Sequence, residues 1–150
     1  MVGDKGAKLF RRWGFAWLAL CSAFVLHVLD EALNDFLAVY NPTVKALREK
    51  FPWALLPIFA FIEWIALLGA AILILFLLSI YAFRGIRWII PLYYIFAVVM
   101  LVNGLQHIGV LLYSGALMPG SFSSPLLLVG AIYLLSTAFQ SRKWPNPNHS

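Results

Sequence analysis

The sequence runs to 150 residues, 63% hydrophobic and only 11% charged, with a mean hydropathy of +0.87. Soluble domains lie nearer half apolar and a quarter charged, so an ordinary soluble domain is excluded and an all-α integral membrane protein of one compact domain is predicted. The net charge of +5 does not point to nucleic acid, because the basic residues sit in short clusters between apolar runs, as membrane topology requires.

In chain order, the apolar runs predict four transmembrane helices, at about 13–36, 53–82, 88–113 and 121–139, each long enough for a hydrocarbon core of ~30 Å. They form one domain over 1–141, followed by a polar tail over 142–150 in which His149 is expected to be inert. The N-terminal basic residues before an apolar run resemble a signal peptide. The run is long, lacks a small-x-small cleavage site and ends in polar residues, so it reads as a retained first span. The first helix is expected to leave the membrane through a polar turn near Asn34 and Asp35. Pro52, Pro57 and Pro91 fall in the opening turns of the second and third helices, where proline is tolerated.

Lys5, Lys8, Arg11 and Arg12 precede the first helix, Arg84 and Arg87 separate the second from the third, and Arg142 and Lys143 follow the fourth. Four spans place these clusters on one side, predicting cytoplasmic termini in a multi-pass protein of the inner (plasma) membrane. Lys45, Arg48 and Lys50 run against this assignment, offset only by Glu49, whereas 114–124 carries no charge. Trp13, Trp17, Trp53, Trp88 and Tyr113 are expected at the interfaces. Gly69 and the pair Gly104 and Gly109 offer small surfaces for helix contact. The single cysteine, Cys21, excludes an intrachain disulfide and reads as a packing residue.

Polar residues inside these runs are the functional signal. His27, Asp30, Glu31 and Asn34 follow one another at helical spacings and share a face; Asn103 and His107 do the same in the third helix, and Glu63 stands alone in the second. With a rise of 1.5 Å per residue from Trp13 and Trp88, His27 lies about 21 Å up, Asp30 and Glu31 about 25–27 Å, Asn103 about 22 Å and His107 about 28 Å. Glu63, counted from Trp53 at the opposite surface, lies about 15 Å below it, in the same outer half. Ionisable groups in hydrocarbon cost several kcal/mol unless paired, hydrated or metal-bound. A structural polar network would need far fewer of them, and three carboxylates close together need protons or a cation to compensate them. A divalent metal (Zn, Fe or Mn) held by His27, Asp30, Glu31, Glu63 and His107, or a subset, answers both points. Asn103 and Gln106 are then candidates for cofactor or substrate hydrogen bonds.

His27-Val-Leu-Asp30-Glu31 followed by Asn103-Gly-Leu-Gln-His107 resembles the HXXEE-motif family of small bacterial membrane proteins, which pairs H-x-x-E-E in the first span with N-x-x-x-H in a later one. Glu63 and the Tyr113 to Pro119-Gly120 stretch are also similar, and the resemblance covers about residues 24–130. Asp30 stands where the family has its first glutamate, and its carboxylate reaches one methylene less far. The resemblance implies the position of a site and no particular activity.

The leading expectation is a metal-dependent membrane enzyme on a lipid or hydrophobic small molecule, by metal-assisted hydrolysis or related acid/base chemistry. His27, Glu31 and His107 are the expected ligands, with Glu63 or Asp30 as a fourth. Whichever of Glu31, Glu63 and Asp30 is unligated serves as general base. The alternatives are a metal-free proton-coupled transporter or ligand-binding membrane protein, and a metal-free acid/base isomerase. Membrane lipids, a hydrophobic substrate and further copies of the chain are the partners these readings admit.

Overall fold

The computed structural model describes residues 4–142, so Lys143 and His149 lie outside the described residues. Within them the regular structure is all helical, with no strand: α1 (Asp4–Leu33), α2 (Phe36–Lys50), α3 (Phe61–Phe83), α4 (Ile90–Ser114) and α5 (Ser124–Arg142), with a 3-10 turn at Arg87–Ile89 leading into α4. Lys8–Leu33, Phe61–Phe83 and Ile90–Ser114 are long and apolar enough to cross a membrane, while the apolar part of α5, Ser124–Gln140, is shorter.

Five helices replace the four expected, and the difference lies between 34 and 60. Asp35 adopts a left-handed conformation (φ 54°, ψ 51°), one of the few non-glycine residues that does so readily. The turn there ends α1 and starts α2, where the sequence predicts a loop. The expected second helix, from Trp53, begins instead at Phe61. Pro52 and Pro57 disfavour helical backbone in the residues before them, and 54–60 has no regular structure. Asn41 completes this arrangement from α2: its side chain donates to the Phe59 carbonyl (2.9 Å) and accepts from the Phe59 amide (3.2 Å). Tyr40 adds a bond to the Pro57 carbonyl at 3.1 Å. Backbone groups of Pro57 and Phe59 thus bond to side chains of α2 rather than to a helix ladder.

The bundle is organised around α1. Its N-terminal half meets the end of α3, with Gly14 against the Phe83 ring and Phe10 against Gly85, so these helices are antiparallel. Gly130 of α5 approaches Leu20 and Ala23, again antiparallel. Aromatic contacts pair α1 with α4 in parallel register: Trp13 and Trp17 with Tyr93, and Phe24 with Phe96. Gly104 of α4 admits Leu128 of α5, whereas nothing approaches Gly69 or Gly109, so only the first of these small residues makes a helix contact. Cys21 packs in the core.

Two of the five aromatics expected at interfaces are core residues. Trp13 and Trp17 are buried, and the Trp17 indole donates to the Leu75 carbonyl across the α1–α3 contact at 2.8 Å. An internal acceptor removes the reason for an indole to seek the interface. Trp53, Trp88 and Tyr113 are exposed.

Candidate metal centre

Parallel α1 and α4 bring His27, Glu31 and His107 together near one end of the bundle. His27 and Glu31 are one turn apart on α1, and His107 lies on the stripe of α4 (Tyr93, Phe96, Ala97, Met100, Gly104, His107) that is buried. The Nε2 atoms of His27 and His107 lie 3.5 Å and 3.3 Å from Glu31 Oε1. The two rings meet edge to face with centroids 4.9 Å apart. One ligand atom from each of the three buried side chains lies within 4.8 Å of the others, so the group could hold a metal ion. A tetrahedral ion about 2.0–2.1 Å from each donor would space the donors about 3.3–3.4 Å apart. The two His–Glu pairs, at 3.5 and 3.3 Å, lie close to that spacing.

Asp30 is directed elsewhere. Its Oδ2 accepts from the Ser123 hydroxyl (2.7 Å) and the Ser123 amide (2.9 Å), and its Oδ1 from the Asn34 side chain (2.9 Å). The short reach of Asp holds this carboxylate at the entrance of α5, and the Ser123 hydroxyl connects it to His27 Nδ1 at 2.9 Å. Asp30 thus touches a ligand candidate through Ser123 and is not in the three-residue group.

Glu63 does not join the group either. It is exposed in the first turn of α3, where its carboxylate accepts the Ala60 amide at 3.1 Å. An acid at this position satisfies a free amide and meets the positive end of the helix dipole. The depth expected for Glu63 rests on a helix from Trp53, and the irregular segment before Phe61 removes that premise. Asn103 stays on the face of His107, with a buried side-chain oxygen that has no hydrogen-bond partner. Gln106 is exposed.

Three further residues shape the site. Gly120, in the turn between α4 and α5, has φ +85°, and a Cβ there would lie 2.8 Å from His107 Cε1 and 2.9 Å from His27 Cε1. The turn can close over both rings only because this side chain is missing. Phe36, set by the turn at Asp35, stacks on Trp64 (5.7 Å) and lies 6.5 Å from the His107 ring. Ser123 is the third, described above. The run Ser121, Ser123 and Ser124 before an apolar stretch marks a helix entrance in the sequence, but nothing local ties Ser123 to His27.

No family model, curated protein or solved structure matches this chain.

Proposed function

We propose that the protein is a multi-pass membrane protein that binds one divalent metal through His27, Glu31 and His107. The observation that carries this reading is the buried trio, in which both imidazole Nε2 atoms face one carboxylate oxygen at tetrahedral-edge spacing. Two nitrogens and a carboxylate suit Zn, Fe or Mn. Three protein donors leave a position open for an exogenous ligand, and Asn103, one turn from His107, offers an unpartnered oxygen to a substrate hydroxyl or amide.

Membrane insertion is supported by the apolar outer surface. Leu67, Leu73, Ile74 and Leu77 of α3, Val99 and Val102 of α4 and Ile132 of α5 are all more than half exposed, a surface that a soluble monomer rarely carries. Lys8, Arg11, Arg12 and Arg84 lie at the end opposite the site, which supports cytoplasmic termini and a site in the outer half of the inner membrane. The substrate class we assign is a lipid or other hydrophobic small molecule, reached from the bilayer. Asp30 is hydrogen-bonded to Ser123 and Asn34 and Glu63 to the Ala60 amide, so a general base for hydrolysis drawn from either would have to leave these partners. We also propose kinship with the HXXEE-motif family, because the two motifs that carry the resemblance meet at this centre.

Metal analysis of detergent-purified protein, reconstituted separately with zinc, iron(II) and manganese, tests the reading. Wild type is expected to retain about one equivalent of one of these ions, and His27→Ala with His107→Ala to retain none. Wild type without stoichiometric metal in any of the three would overturn it. Glu63→Gln is expected to bind metal as wild type does, since an amide oxygen still serves the cap. A tenfold loss of affinity in a metal titration of that variant would place Glu63 at the metal.

A second reading puts protons in place of the metal, with Glu31 paired to imidazolium rings, because its oxygen lies within ion-pair distance of both histidines. This is the metal-free relay or acid/base alternative. The stability of a Glu31 variant separates the two readings.

A further inference from the structure

We propose that Ser123 is a positioning residue that selects the tautomer of His27, directing a bare Nε2 at the ligand position. The argument is a proton count. Ser123 Oγ lies 2.7 Å from Asp30 Oδ2, 3.2 Å from the Gly120 carbonyl and 2.9 Å from His27 Nδ1. A hydroxyl has one hydrogen to donate and lone pairs to accept with. The carboxylate and the carbonyl are acceptors only, and the carboxylate contact is the shortest of the three.

If the Ser123 hydrogen went to His27, two oxygens without a hydrogen between them would stand 2.7 Å apart. If it goes to Asp30, the 2.9 Å contact with His27 requires a hydrogen on Nδ1, which donates to Ser123. The chain of donors is therefore His27 to Ser123 to Asp30. Its consequence lies on the other side of the ring. A neutral imidazole protonated at Nδ1 carries its lone pair on Nε2, and His27 Nε2 is buried without a hydrogen-bond partner, 3.5 Å from a carboxylate oxygen. Two acceptors facing each other in a buried site call for a cation between them. Asp30, near the site but not aimed at it, acts through a hydroxyl to hold the imidazole in its ligating form. Metal-bound histidines commonly have such an outer partner.

The effect on metal affinity rests on the metal reading above, but the tautomer does not. The test is a pair of measurements on the full chain in detergent, with zinc as the probe ion. Two-bond proton–nitrogen correlation spectra of metal-free protein labelled with nitrogen-15 histidine report which ring nitrogen is protonated. The signals lost in His27→Gln identify His27. Wild-type His27 is expected to carry its proton on Nδ1, Ser123→Ala to show a mixture of tautomers, and Ser123→Thr, which keeps the hydroxyl, to resemble wild type. Zinc affinity is expected to fall about 10–100-fold in Ser123→Ala, as for other outer-shell partners, and to recover in Ser123→Thr.

An Nε2-protonated ring or an imidazolium in the wild type overturns the proposal, and so does an unchanged tautomer in Ser123→Ala. If the protein takes up no metal, the metal reading fails while the wild-type spectrum still decides this one. That spectrum needs no variant beyond His27→Gln, so a Ser123→Ala protein that fails to fold leaves the decision intact.

Discussion

Glu31→Gln is expected to weaken divalent-metal binding about a hundred- to thousandfold while leaving the metal-free protein as stable as wild type or more so. Structural zinc sites release an apparent ~10–16 kcal/mol on binding, roughly 2.5–4 kcal/mol for each of four ligands. Losing the one anionic donor of this trio forfeits a share of that size. In the metal-free state the sign differs if both Nε2 atoms are unprotonated, as the metal reading requires, because a buried carboxylate facing two bare nitrogens gains nothing from them and is costly to bury. Removing its charge while keeping its shape relieves that cost.

The proton-based reading predicts the opposite. If Glu31 neutralises a buried imidazolium, Glu31→Gln leaves that charge without a partner and destabilises the protein by about 3–5 kcal/mol. Thermal unfolding of metal-free wild type and variant in the same detergent checks the sign. A large drop for the variant would favour a shared proton over a metal.

Gly120→Ala is expected to damage both fold and site, whereas Gly115→Ala affects the fold alone. Both glycines have positive φ, +85° and +67°, and a left-handed conformation costs an L-residue about 1–2 kcal/mol. At Gly115, the C-terminal cap of α4, a Cβ would meet nothing within 4 Å, so the backbone cost is the whole effect. At Gly120 the same Cβ would press on Cε1 of both His27 and His107. Cε1 is bonded to Nε2 in each ring, so displacing it moves two of the three donor atoms. Zinc affinity is expected to fall at least tenfold in Gly120→Ala, given that even outer partners are worth about 10–100-fold, and to stay near wild type in Gly115→Ala. Equal affinities in the two variants would show that the turn does not support the rings.

The helical character and the three long apolar helices follow from composition and the length of the apolar runs, because these depend on residues close together in the chain. The same holds for half of the site. His27 and Glu31 share a face because they are four apart, and His107 could be matched to them in level by counting residues along a regular helix. Counting does not reach Glu63, because it assumes a helix from Trp53 where the chain has no regular structure before Phe61, with Pro52 and Pro57 against a helix and Asn41 bonded to Phe59. The α2 helix was equally hidden: it depends on a left-handed Asp35 and on side-chain bonds to residues 57 and 59.

Only the tertiary structure decided what surrounds the trio. Ser123 lies 96 positions from His27, and its role arises because antiparallel packing of α5 on α1 brings the start of one helix to the end of the other. Gly120 is an ordinary turn glycine until that packing places it over two imidazole rings. Asp30, three residues before the end of α1, reads as a ligand in sequence, yet its carboxylate is taken by the Ser123 amide and hydroxyl on the Nδ1 side of His27. Local spacing sets which groups a helix can present, whereas the partner each group meets depends on how the helices cross. For His27, Glu31 and His107 the sequence alone determined the presenting faces; the donor spacing that would suit a metal came from the packing of α1 against α4 and the turn that closes over them.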